Sequence, residues 1–168
     1  LGLALVGLVQ VAISAWVFFE AKLYSDVILQ GFFFVLQAYG WWHWWHGTGA
    51  SRAALPVTRL QARAIAGWVG TGLLATAGWG ELMRRTTDAA LPHWDAFILM
   101  FSVIAQWLQA RKRLENWAGW MMVNAVAIGV YWAKDLRLFA GLYLVFFGMA
   151  VAGHVAWRRT AAGVDANA

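Results

Sequence analysis

Residues 116–133 read NWAGWMMVNAVAIGVYWA, a stretch without one charged side chain. A hydrocarbon core about 30 Å thick is crossed by about 20 apolar residues of helix, within a range of about 17–25. The stretch meets that length. Among its polar and aromatic members, Trp117, Trp120, Asn124 and Tyr131 follow one another at spacings of 3, 4 and 7. At 3.6 residues per turn these four fall within about 60° of arc. The segment therefore predicts a membrane-crossing helix with one stripe of two indoles, a carboxamide and a phenol. A polar stripe is costly against lipid and turns toward a bundle interior, which makes it a candidate site.

The rest of the chain has the same construction. Of 168 residues, 62% are apolar and 12% charged, against about 45–50% and about 25% in soluble domains. Charge-free runs cover 1–19, 27–51, 64–80, 96–110, 116–133 and 138–157. Lipid supplies no partner for free backbone groups, so each run is expected to be helical. Strand-period alternation, which a barrel needs, is absent. The chain reads as an all-α integral membrane protein with six spans. His93, Trp94 and Arg111 flank the shortest run and are expected at its interfaces.

A net charge of +5 does not point to nucleic acid here, because the basic residues occupy short loops at span ends. With the C-terminus cytoplasmic, Arg52, Arg59, Arg63, Arg111, Lys112, Arg113, Arg158 and Arg159 lie inside. Lys22, Arg84, Arg85, Lys134 and Arg137 then lie outside. The excess inside follows the positive-inside rule. No cysteine is present, so disulfides and thiolate sites are excluded. There is no signal-peptide pattern. The final TAAGVDANA reads as a disordered tail.

Residues 16–45 superpose on 129–158 with a shift of 113. Phe33 and Phe34 fall on Phe146 and Phe147, Leu29 on Leu142, Leu23 on Leu136, Gly40 on Gly153 and Trp44 on Trp157. Three spans separate the matched pair, so both cross in the same direction. That pattern marks a parallel repeat, which some transporters use to place a substrate between two halves. Three spans follow the 64–80 run but only two precede it, so symmetry predicts one further helix ahead of Leu1. The 64–80 run carries Gly67, Gly70, Gly72, Gly78 and Gly80 and reads as a tightly packed connector.

Other stripes accompany the one on 116–133. Ser102, Gln106 and Gln109 share a narrow face of the fourth span. Gln30, Gln37, Trp41 and Trp44 line the second, and their repeat counterparts are Tyr143, Ala150, His154 and Trp157. The stripes are expected to converge on one polar cavity with aromatic walls. A plainer reading has the amides bonding neighbouring helices, at about 0.6 kcal/mol each on average. In YGWWHWWH (39–46) the tryptophans also suit an interfacial belt, above all Trp42 and Trp45. His43 and His46 lack a nearby third ligand, so no metal site is expected.

Absent chemistry narrows the function. No carboxylate lies near a midplane, Glu20 and Glu81 being at span ends, whereas ion-coupled carriers usually need one. No phosphate-binding loop of the Gly-x-x-x-x-Gly-Lys-Ser/Thr kind occurs. No nucleophile–base pair suggests an enzyme. Transport without direct energy coupling and without a cofactor is what remains.

FFEAKLYSDVILQGFFFVLQAYGWWHW (18–44), AQWLQARKRLENWAGWMMVNAVAIGVYWAKDL (105–136) and LYLVFFGMAVAGHVAWRR (142–159) together resemble the PnuC family of bacterial vitamin transporters. The resemblance implies a SWEET-like plan of 3+1+3 helices, often trimeric, with six helices present here. It implies facilitated uptake of a vitamin precursor that is then trapped by cytosolic phosphorylation. On that plan 1–157 is a single transmembrane domain, in which 1–46 belongs to the first half-bundle. Residues 62–82 are the linker helix, 95–157 the second bundle and 158–168 a cytoplasmic tail. Family members carry nicotinamide riboside, thiamine, riboflavin or deoxynucleosides. Nicotinamide riboside is the favoured substrate, because indole faces suit a fixed-charge ring and amides suit a carboxamide or ribose. Thiamine is the alternative, as its ring also carries a fixed charge. The expected substrate residues are Trp117, Trp120, Asn124, Tyr131, Gln106, Gln109, Gln37, Trp41 and Trp44. A competing reading of another class is a haem or metal subunit built on His43, His46 and His154.

Overall fold

The computed structural model describes residues 31–40, 42, 56–88 and 90–165. They form five helices: α1 (Gly31–Gly40), α2 (Ala62–Thr86), α3 (Pro92–Ala110), α4 (Asn116–Ala133) and α5 (Arg137–Asp165). An isolated bridge between Thr58 and Arg113 is the sole extended pairing among the described residues. The chain divides into two compact units, 1–55 with 109–111, and 56–108 with 112–168.

In the second unit, helices adjacent in sequence pack on one another through small residues, which let backbones approach. A Cβ on Gly72 of α2 would stand 2.7 Å from the Phe101 ring of α3, and one on Gly119 of α4 would stand 3.1 Å from Ala105 of α3. Between α4 and α5 the buried residues are again small, with Ala127, Ala140 and Ala150 at 0–3% exposure. Not every glycine of α2 serves this purpose. Gly72 and Gly80 are contact points, while Gly67, Gly70 and Gly78 meet nothing within 4 Å among the described residues. The expected tight connector is thus tight at two places.

Two helix ends show how the turns are made. At the end of α4, the Leu136 N–H donates to the Tyr131 carbonyl at 2.8 Å and Asp135 donates to Trp132 at 3.1 Å. Asp135 itself has φ 56. This is a Schellman closure with its left-handed residue in place. The end of α3 repeats it: Arg113 donates to Leu108 at 2.9 Å around Lys112, whose φ is 50. Burial pushes the Lys112 ammonium below its ordinary range. The next residues are tied down by the bridge, where Thr58 donates to Lys112 at 3.1 Å and Leu114 donates back to Thr58 at 2.9 Å.

Large apolar side chains on α5 remain exposed, among them Leu138 at 85%, Leu144 at 62% and Met149 at 62%. Such a continuous apolar face suits lipid rather than water. By length and composition, Arg137–Ala161 passes as a membrane span, with mean hydropathy 1.9. It is alone in this among the described residues. The other helices carry more indole, amide and glycine, which lowers their hydropathy without adding charge. Helix α5 also continues through Asp165, where a disordered tail was expected. Thr160 caps its own turn by donating to the Ala156 carbonyl at 3.1 Å, and the alanines that follow are strong helix formers.

Charges gather at the helix ends. Glu81 accepts from Arg84 at 2.7 Å and from Arg85 at 2.6 Å, and these hydrogen bonds hold its carboxyl at about 2. Such exposed pairs contribute little to stability. Lys134 is the exception, since its ammonium donates to both Asp95 oxygens at 2.9 Å and so ties the end of α4 to the start of α3. Its side chain is only 25% exposed. A double-mutant cycle of Lys134→Met and Asp95→Asn is expected to give a coupling of about 1 kcal/mol, the upper end for partly exposed pairs. Thermal unfolding in detergent measures it, and additive single effects would show the pair to be incidental.

Candidate substrate-binding site

The stripe on 116–133 becomes one side of α4, and its two ends are embedded differently. At the N-terminal end, the Trp117 indole meets Trp157 edge to face, with centroids 5.3 Å apart and planes at 86°. It lies across the backbone of Gly153, where a Cβ would stand 2.5 Å from two of its ring carbons. Glycine at 153 is therefore what admits the indole. The Trp117 Nε1 is buried with no hydrogen-bond partner among the described residues. Asn124 follows two turns on and is 4% exposed, between Val123 at 1% and Ala127 at 0% on the packed side of the helix.

The C-terminal end is an aromatic stack. Tyr131 lies parallel to Phe139 at 5.6 Å and to Tyr143 at 5.1 Å, and Tyr143 meets Phe146 edge to face at 5.8 Å. The α4–α5 seam thus runs from paired phenols, past a buried carboxamide, to paired indoles. Such groups can hold a flat ring by stacking and orient it by hydrogen bonds. A ring with fixed positive charge gains most from aromatic faces.

The other expected residues are distributed as follows. Trp120 is half-buried one turn after Trp117, and Gln106 is half-buried on α3 beside Ser102, which is 8% exposed. Gln37 on α1 and Gln109 at the end of α3 are half-buried members of the first unit. There Gly40 abuts Ala110, Arg111 stands over the Tyr39 ring at 5.7 Å, and Trp42 is 56% exposed. Trp41, Trp44, Gln30, His43 and His46 lie outside the described residues. Among those described, no group of three or more His, Asp or Glu side chains is placed to hold a metal ion.

A cavity of about 390 Å³ opens beside the Trp117 end of the stripe, lined by Arg59, Leu114, Glu115, Ala118, His154 and Arg158. The repeat aligns His154 with Trp41 on the polar and aromatic stripe of the last span. Glu115 and Arg59 sit in short connections, where no helical periodicity marks a residue as part of a site.

Residues 3–159 match a family model described as nicotinamide mononucleotide transporter. The chain belongs to that family. Nicotinamide riboside transporter PnuC of Escherichia coli is 25% identical, over 92% of this chain and 75% of that protein. Riboflavin/roseoflavin transporter RibM of Streptomyces davaonensis is 23% identical, over 71% of this chain and 57% of that one. A crystal structure of the vitamin B3 transporter PnuC superposes with a TM-score of 0.67 at 24% identity, covering 94% of this chain and 72% of that one. That likeness establishes a common fold. Membership of the nicotinamide mononucleotide transporter family makes the chain a multi-pass membrane transport protein.

Proposed function

We propose that the protein carries nicotinamide riboside across the bacterial inner membrane by facilitated diffusion, with retention by phosphorylation in the cytosol. The observation that carries the reading is the α4 stripe, where buried Asn124 shares a face with Trp117, whose indole N–H lacks a partner among the described residues. The named substrate of the E. coli relative has the chemistry this stripe suits. An inside-negative potential favours entry of a cation by about 2.3 kcal/mol per 100 mV, so no coupled ion is required.

The proposed architecture is a SWEET-like 3+1+3 bundle working as a homotrimer with a cytoplasmic C-terminus. In support of the repeat, the matched glycines Gly40 and Gly153 are both points of close approach, one to Ala110 and the other to Trp117. The full set of expected substrate residues, including Trp41 and Trp44, belongs to this proposal.

Competition on one purified sample tests the substrate. Nicotinamide riboside is expected to displace a bound riboside probe at lower concentration than thiamine or riboflavin does. Displacement by thiamine at tenfold lower concentration, on the order of 1.4 kcal/mol tighter, would reassign the protein to thiamine. A Soret band in the visible spectrum would favour the haem reading instead.

A further inference from the structure

Five buried side-chain polar atoms lack a hydrogen-bond partner among the described residues, and four of them crowd one corner of the second unit. They are Glu115 Oε2, Asn116 Oδ1, Trp117 Nε1 and His154 Nδ1. An unsatisfied buried polar group costs about 1–3 kcal/mol, so a cluster of them marks a place where something else supplies the partners. Glu115 and His154 both line the 390 Å³ cavity, and Arg59 and Arg158 complete its polar wall. The Thr58 bridge fixes this arrangement by running Arg59 alongside Leu114, and the Arg113 guanidinium donates to the Arg59 carbonyl at 3.4 Å.

The chemistry of the wall specifies an occupant. An ionised carboxylate accepts only, so Glu115 calls for hydroxyl or N–H donors. Two guanidiniums against one carboxylate leave a net positive wall, and guanidinium forks match phosphate oxygens. A ligand with vicinal hydroxyls at one end and a phosphate at the other answers both demands. The volume lies within the usual range of about 300–1,000 Å³ for small-ligand pockets.

We propose that this cavity binds a phosphorylated, hydroxyl-bearing ligand of the nucleoside monophosphate class. The ribose hydroxyls meet Glu115 and His154, and the phosphate meets Arg59 and Arg158. The site is separate from the α4 stripe but adjoins its Trp117 end, so an occupant there obstructs the route. The choice of a nucleotide over another phosphate ester rests on the carrier reading, in which the transported nucleoside is phosphorylated on the side bearing Arg59 and Arg158. A glycerol-phosphate lipid headgroup presents the same chemistry, and the test separates the two.

The experiment uses the full chain in discs of neutral lipid, titrated with nicotinamide mononucleotide, nicotinamide riboside and inorganic phosphate by calorimetry. Mononucleotide binding is expected to fall at least about tenfold in Arg59→Gln/Arg158→Gln, since the paired charge-assisted bonds are the strong ones. Riboside binding should change by less than about twofold, because neither arginine is in the stripe. Both arginines are exposed, so the variant should fold. A mononucleotide that does not bind the wild type, or binds the double variant equally well, overturns the proposal. In a second arm the discs contain phosphatidylglycerol. If that lipid alone is retained in an arginine-dependent way and the mononucleotide never binds, the occupant is a headgroup and the proposal fails. Loss of riboside binding in the wild type, with mononucleotide binding intact, would instead sink the carrier reading and leave this site standing.

Discussion

Gly153→Ala is expected to lower stability and abolish substrate binding together, whereas Gly148→Ala on the same helix should do neither. A Cβ at 153 would enter the Trp117 ring, which is itself held by Trp157. Either the indole leaves its place or α4 and α5 separate. Overpacking of this kind costs about 1–3 kcal/mol, and a displaced Trp117 no longer caps the stripe. At Gly148 nothing lies within 4 Å among the described residues. Alanine there should stabilise the helix slightly, as glycine in a helix interior costs about 0.5–1 kcal/mol relative to alanine. Melting temperature and riboside affinity of the two variants check this. Equal behaviour would mean that the indole does not lie on the Gly153 backbone.

The second large effect separates Trp117 from Asn124. Trp117→Ala removes a large ring from the α4–α5 seam and should destabilise the fold by about 2–3 kcal/mol, below the range of about 3–5 kcal/mol for fully buried aromatic truncation. It should also weaken riboside binding at least about tenfold. Asn124→Ala is the cleaner probe. It deletes a buried carboxamide and should leave stability nearly unchanged while lowering affinity about tenfold, near 1.4 kcal/mol. Affinity that survives both substitutions would remove α4 from the substrate route.

How far these positions were legible from sequence depends on what fixes them. The limits of α4 coincide with the charge-free run 116–133, because the charges at its ends mark where the helix leaves the apolar layer. Its stripe was legible for the same reason, since a 3.6-residue period is carried by one segment alone. Charge does not stop a helix, however. Helix α2 runs past the 64–80 run through Glu81, Arg84 and Arg85, and α5 runs past Arg158 and Arg159. What stops α2 is the extended Thr87, ahead of Pro92, which opens α3 at the position where proline is favoured. The seat of Trp117 on Gly153, the clasp of Lys134 on Asp95 and the cavity beside Arg59 all join separate segments. Periodicity within one segment carries no information about them. The repeat alignment came nearest, by marking Gly153, His154 and Trp157 as one group.

The α4 stripe is expected to face a watery internal route and the outer side of α5 to face lipid. The 168-residue chain has no cysteine, so single cysteines introduced into it report without background. Asn124→Cys is expected to react with a small water-soluble thiol reagent and to be protected by nicotinamide riboside. Leu144→Cys, at a position 62% exposed on α5, should react only with a membrane-soluble maleimide, with or without the riboside. Labelling of Leu144→Cys from water, or of Asn124→Cys from lipid and without protection, would contradict both placements.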